Sequence, residues 1–330
     1  MAWVIRSFAV LIAAAAGTIG VFWWMALGDI GEVRVSALAP RATSPAQDWR
    51  QVLARAPAVK LTAFVTGWVE AGPEILIDAD DPRTPANLKR RLWVPSMAYL
   101  LEHPSQGRLL LDTGLRAGAC AYGTRPLYWV PCRNQPGSDV AAQLRARGSS
   151  PKDLAWIVMS HFHGDHASGL EHLLHLGASK IATLQEEIDD VQGFWRPLLG
   201  YESEMLGADM QIVTVNALLQ PMPQVGVAVD FLGDGSFWLI PTPGHTRGHL
   251  AMLANTRPRP TLMTFDAAHL AADFELGIAP GATVDHTAAH ASIAKLRALA
   301  REIPDLVIVY GHEPTQWDGV TSRQLGNGQR

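Results

Sequence analysis

The densest chemistry in this 330-residue chain is the run His161-Phe162-His163-Gly164-Asp165-His166, where four nitrogen and oxygen donors fall within six residues. Imidazole and carboxylate together suit a divalent cation, and neither packing nor solubility requires such a cluster. In extended chain alternate side chains share a side, so His161 and His163 can converge on one ion. Gly164 then permits a turn that aims Asp165 and His166 at a second. Two cations roughly 3.5–4 Å apart lower the pKa of a bridging water, so that hydroxide exists at neutral pH, and they steady the charge on attacking and leaving oxygens. The predicted chemistry is hydrolysis without a protein nucleophile, with Asp165 placed to orient the water or take its proton. A thiolate metal site is excluded, because Cys120 and Cys132 are the only cysteines and form no C-x-x-C pair.

Donors of this kind work only when rigid elements hold them. The motif directly follows residues 155–160, AWIVMS, an apolar run of strand length. Comparable runs at 61–69, 109–112, 212–215, 237–240, 250–253, 261–265 and 306–310 predict further strands. Helices are predicted at 139–147, 167–176, 184–191 and 286–301, the last stopping before Pro304. Strands and helices mixed in this way predict a layered α/β domain over residues 61–330. Phe194, Trp195, Leu198, Leu199, Tyr201, Met205 and Leu206 predict an apolar wall beside the donors, suited to a small substrate with an apolar substituent.

The run SHFHGDH, Ser160 to His166, resembles the H-x-H-x-D-H signature of the metallo-β-lactamase superfamily. The later ligand positions of that family have matches in the same order: His245 in PTPGHT, Asp266 in TFDAAH and His312 in VYGHE. LLLDTG, ending at Gly114, is similar to the family's early strand end, and the resemblance spans residues 61 to about 316. It implies an αββα sandwich with the metal site where these loops meet. One metal would take His161, His163 and His245, the other Asp165, His166 and His312, with Asp266 bridging. Two zinc ions fit the implied set best, and iron, manganese or cobalt are compatible with the same ligand types. Asp112 is expected to accept a hydrogen bond from a ligating imidazole.

Having both Asp165-His166 and Asp266 points away from the lactamase branches. The set is similar to that of acyl-homoserine lactone lactonases, organophosphate hydrolases and glyoxalase II-like thioesterases. His269 stands where the lactonases carry a tyrosine, three residues after the bridging aspartate. It is expected to donate a hydrogen bond to the carbonyl or leaving oxygen. The implied activity is opening of a lactone or ester, acyl-homoserine lactone first. Phosphotriester, aryl ester or thioester hydrolysis is the alternative, and an iron-dependent oxidoreductase the alternative of another class. His249, His286 and His290 read as structural, because the seven-ligand set is complete without them.

The ends and the charge add context. A net charge of −4 offers no positive field for nucleic acid. Residues 8–27 run without a charge, long enough for about 30 Å of helix, and predict a transmembrane helix with Trp23 and Trp24 at an interface. The competing expectation for residues 1–30 is a cleaved signal segment; either places the catalytic domain outside the cytoplasm, membrane-anchored (periplasmic) or secreted. Residues 31–60, with Pro40, Pro45 and Pro57, read as a linker carrying one short helix at 49–55. In an oxidising compartment Cys120 and Cys132 can join. Nothing in the sequence fixes an oligomeric state.

Overall fold

Alternation within the apolar runs assigns each side chain to one of two cores. In β2 (Lys60–Ala71) Leu61, Ala63 and Val65 enter one cluster and Phe64 another; in β3 (Leu92–His103) Met97, Tyr99 and Leu101 enter the first, Ala98 and Leu100 the second. The same two-residue period runs through β11 (Phe237–Pro241) and β12 (Leu250–Ala254), whose outward Trp238, Ala251 and Leu253 meet a third cluster. Strands covered on both faces need apolar side chains on both, so these read as continuous hydrophobic runs.

The chain is described here by a computed structural model that covers residues 17, 20, 33–40, 48–121, 130–178, 180–201 and 210–325. Among the described residues one sheet runs β1 (Arg34–Ala37), β8 (Gln211–Thr214), β7 (Ile181–Thr183), β6 (Leu154–Val158), β4 (Gly107–Leu111), β3, β2, β15 (Ser322–Leu325), with β5 (Cys132–Arg133) also on β2. The other runs β14 (Val307–Tyr310), β13 (Thr261–Phe265), β12, β11, β10 (Gly226–Asp230), β9 (Leu219–Met222). The largest cluster lies between the sheets. Helices Val140–Arg145, Leu170–His175 and Gln185–Gln192 cover the outside of the first sheet, and Trp49–Arg55 and His286–Glu302 the outside of the second. The layering is αββα, as expected.

β3 was not legible as a strand, because Pro95 interrupts it. The strand survives because β4 pairs only with Tyr99 to His103, so no ladder partner on that side needs a Pro95 N–H. Past the end of β4 the freed polar groups serve the ligand loops instead. The Pro95 carbonyl accepts from His312 Nδ1 at 2.8 Å, and Ser96 Oγ donates to the Asp165 carbonyl at 2.6 Å.

The N-terminal expectation needs correction. Among the described residues no helix is long and apolar enough to cross a membrane, so the transmembrane helix preceding the fold is not supported. The segment at 8–27 lies outside the described residues apart from Gly17 and Gly20. Apolar composition states a solvent preference, not a conformation. The longest described helix, His286–Glu302, has 17 residues and one buried face. Within 31–60, β1 pairs in parallel with β8 and Trp49 is fully buried against Trp238, so these two described segments pack on the domain. The helix predicted at 167–176 divides into Gly164–Ala167 and Leu170–His175, and Cys120 is joined to Cys132.

Candidate metal centre

Every donor sits just past the end of a strand. His161 to His166 follow β6, His245 follows β11, Asp266 follows β13, His312 follows β14 and Asp112 follows β4. The Leu250 N–H donates to the Ser160 carbonyl at 3.0 Å, joining the two sheets where their loops converge. Phe265 holds φ at +46°, a left-handed conformation that costs a β-strand aromatic on the order of 1–3 kcal/mol and turns Asp266 inward. Gly311 lies so close that a Cβ there would sit 2.5 Å from the Phe265 carbonyl and 3.0 Å from Asp266 Oδ1.

The two carboxylate oxygens of Asp266 face different groups. Oδ2 lies 3.6 Å from His161 Nε2 and 3.2 Å from His245 Nε2, and that nitrogen is 2.8 Å from His163 Nδ1. Oδ1 lies 3.1 Å from His166 Nε2 and 3.3 Å from His312 Nε2. Asp165 Oδ2 completes the second group, 3.7 Å from His166 Nε2 and 3.4 Å from His312 Nε2. All seven sequence-derived positions are therefore brought together. His269 joins them, its Nε2 3.1 Å from Asp266 Oδ2.

Outward-facing nitrogens are satisfied by protein. His163 Nε2 meets the Leu199 carbonyl, His245 Nδ1 that of Ala282, His312 Nδ1 that of Pro95 and His269 Nδ1 that of Leu76, at 2.7–3.0 Å. His166 Nδ1 meets Asp112 Oδ2 at 2.7 Å, the carboxylate contact expected for Asp112, which also accepts from the Ser160 N–H and Oγ. Inward-facing His161 Nε2, His166 Nε2 and Asp266 Oδ1 are buried and make no hydrogen bond. Buried polar atoms left in that state call for a missing partner, and this set of nitrogens and oxygens fits a divalent cation site.

Charge divides the site. Burial lowers His163, and it takes His161 and His245 well below the usual imidazole range, so these three stay neutral and ready to ligate. Burial opposes protonation of His166 and His312 too, but Asp266 and Asp165 outweigh it and raise both, His166 strongly. Burial would raise Asp266, yet the imidazoles of His166, His312, His269 and His161 outweigh that and hold it well below the carboxylate range.

A model of the metallo-beta-lactamase superfamily matches residues 91–312, a span that contains all seven donors. The chain belongs to that superfamily. An N-acyl homoserine lactonase AttM from Azorhizobium caulinodans is 27% identical to this superfamily member over 237 residues, 68% of this chain and 84% of the relative. An N-acyl homoserine lactonase from a Bacillus species is 28% identical over 243 residues, 72% and 87% of the two chains. Among solved structures, an N-acyl homoserine lactone hydrolase with N-hexanoyl-L-homoserine at its catalytic metal centre matches with a TM-score of 0.64 at 23% identity. The match covers 79% of this chain and 95% of that one, and bears on fold alone.

A cavity of about 670 Å³ opens onto His163, Asp165, His245, Asp266, His269 and His312 of this superfamily member. Leu198 and Leu199 line it as expected, whereas Phe194 and Trp195 are exposed, Tyr201 is buried behind His163, and Met205 and Leu206 lie outside the described residues. Further apolar lining by Val69, Ile75, Leu76, Val94, Leu115 and Cys132 was not foreseen. Nor was the role of His249: its Nε2 accepts the Asp266 N–H at 3.0 Å, and its Nδ1 lies 2.7 Å from Thr242 Oγ1. Spacing four residues after His245 was the available signal.

Proposed function

We propose that this superfamily member, a metal-dependent hydrolase, is a dinuclear zinc lactonase whose first substrate class is the N-acyl homoserine lactones. The observation that carries the reading is Asp266, with one carboxylate oxygen toward His161 and His245 and the other toward His166 and His312. His161, His163 and His245 would hold one metal and Asp165, His166 and His312 the other, with Asp266 available to both. Relatives named as N-acyl homoserine lactonases, matched over 84% and 87% of their length, support the substrate class. The apolar cavity walls suit an acyl chain.

Two zinc ions would supply an activated water at neutral pH and polarise the ring carbonyl. The chain's own residues do the rest. Water adds to the ring carbonyl, the acyl C–O bond breaks, and a carboxylate and an alcohol form. Asp165, partly open to the cavity, takes the proton of the attacking water and returns it to the leaving alkoxide. His269 steadies the carbonyl or leaving oxygen. Its Nδ1 lies 3.0 Å from the Leu76 carbonyl, which fixes the ring with Nε2 toward Asp266 and the cavity.

The test is to load the purified protein with zinc, count metal per chain, and assay lactones of graded acyl length beside thioesters, aryl esters and phosphotriesters. Two zincs and a preference for acyl-homoserine lactones is the expected result. Tightly bound iron with no hydrolysis, or a thioester or phosphotriester preference, overturns it.

A further inference from the structure

One buried acid outside the donor set touches the loops of both sheets. Glu187, in the helix Gln185–Gln192, has no exposed surface. Its Oε1 accepts the Phe162 N–H at 3.0 Å and the Tyr201 hydroxyl at 2.9 Å; its Oε2 accepts the Thr246 hydroxyl at 2.6 Å. Phe162 lies between His161 and His163 on the loop after β6, and Thr246 follows His245 on the loop after β11. A single carboxylate thus links the two loops that bring His163 and His245 together.

Neighbouring contacts tighten the same link. A Cβ on Gly248 would lie 2.3 Å from the Glu187 backbone nitrogen, so the His245 loop presses against the start of this helix. Arg247 pairs with Asp190 of the same helix. Tyr201, held by Glu187, lies tilted against the His163 ring with centroids 5.2 Å apart, and the Leu199 carbonyl takes His163 Nε2. Asp112, by contrast, bonds His166 directly and holds the other group.

We infer that Glu187 is a positioning residue for the His161–His163–His245 half of the centre: it sets the spacing of His163 and His245 and thereby the affinity of that half for its metal. Leucine at this position removes both acceptor oxygens and leaves the buried Phe162 N–H unpaired, so the link between the two loops is lost, whereas in an amide the Tyr201 and Thr246 hydroxyls can turn to accept from the N–H₂. The inference rests on reading the cluster as a dinuclear metal centre.

The experiment compares zinc content, chelator competition and the cobalt(II) absorption spectrum of the parent chain and Glu187→Leu, with Glu187→Gln as the conservative variant that should recover most of the loss. Expected is a fall from two zincs toward one, a loss of affinity of about 10- to 100-fold confined to one site, and loss of one cobalt component. KM should move less than kcat. Tyr201→Phe and Thr246→Val, each removing one bond, should shift the same site in the same direction by less, which keeps the test decisive if Glu187→Leu does not fold. A foldable Glu187→Leu or, failing that, both single-bond variants with parental affinity at both sites and the parental cobalt spectrum overturns the role of Glu187. A parent chain that binds no metal overturns the metal-centre reading itself.

Discussion

The two halves of the centre differ in how they are held and in the charge they carry before metal arrives. His161 and His245 are buried and His163 half-buried, and all three are neutral and tied outward to uncharged groups, the Ser160 hydroxyl and the carbonyls of Leu199 and Ala282. His166 and His312 face Asp165 and Asp266, and His166 also leans on the buried Asp112, so both favour the protonated form. The first half is a preformed neutral pocket for a cation. The second gathers carboxylates around its imidazoles, which favours protons that an incoming metal must displace. Two sites a few ångströms apart therefore face different competition from protons.

Removing Asp266 erases the distinction, since it serves both halves. Asp266→Ala should lose bound zinc on both sides and drop kcat/KM on the order of 10³-fold or more, read by metal analysis and lactone hydrolysis. An unchanged zinc count would break the comparison. His269→Ala should lower kcat by about 100-fold while both zincs remain, which separates a group acting on substrate from the ligands around it. Loss of a zinc in that variant would place His269 among the ligands. Asp112→Asn should weaken only the Asp165–His166–His312 side, by about 10- to 100-fold in affinity, leaving the other titrating as in the parent.

Acidification sharpens the contrast further. The raised His166 and His312 gain protons at higher pH than the depressed His161 and His245, so metal affinity of their half falls first as pH drops. Zinc content measured from pH 8 down to pH 5 should decline in two steps, and calorimetry in buffers of different ionisation heat should show proton release on filling the second half. A single step for both metals would contradict it. The smallest effect is expected from Thr242→Val, which leaves His249 Nδ1 without its hydroxyl partner and loosens the support of the Asp266 amide; about 1 kcal/mol of stability is at stake, measurable by denaturant titration.

The cradle was legible in sequence because its parts are chemically rare. Four donors in six residues have few structural uses, and the later His and Asp each follow an apolar strand. Other parts were hidden for physical reasons. Val69, Val94 and Leu115 line the cavity, but an apolar side chain reads alike whether it faces a core or a substrate space. Glu187 sits in an acidic helix segment, QEEIDDVQ, where a buried carboxylate looks like a solvated one. β3 was masked by Pro95, whose tolerance depends on where β4 stops, a fact of register and not of local composition. The apolar N-terminal run misled in the opposite sense, since hydropathy without a described helix does not establish a membrane span.

The bond between Cys120 and Cys132 ties together two points of the chain at the cavity, which Ala119, Val130 and Cys132 help to line. Both sulfurs belong to half-buried residues that a dissolved reductant can reach. A batch made in a reducing host and one made in an oxidising host are thus two different samples with differently braced walls. Titrating free thiols with a chromogenic disulfide belongs beside the metal count whenever preparations are ranked by chain-length preference.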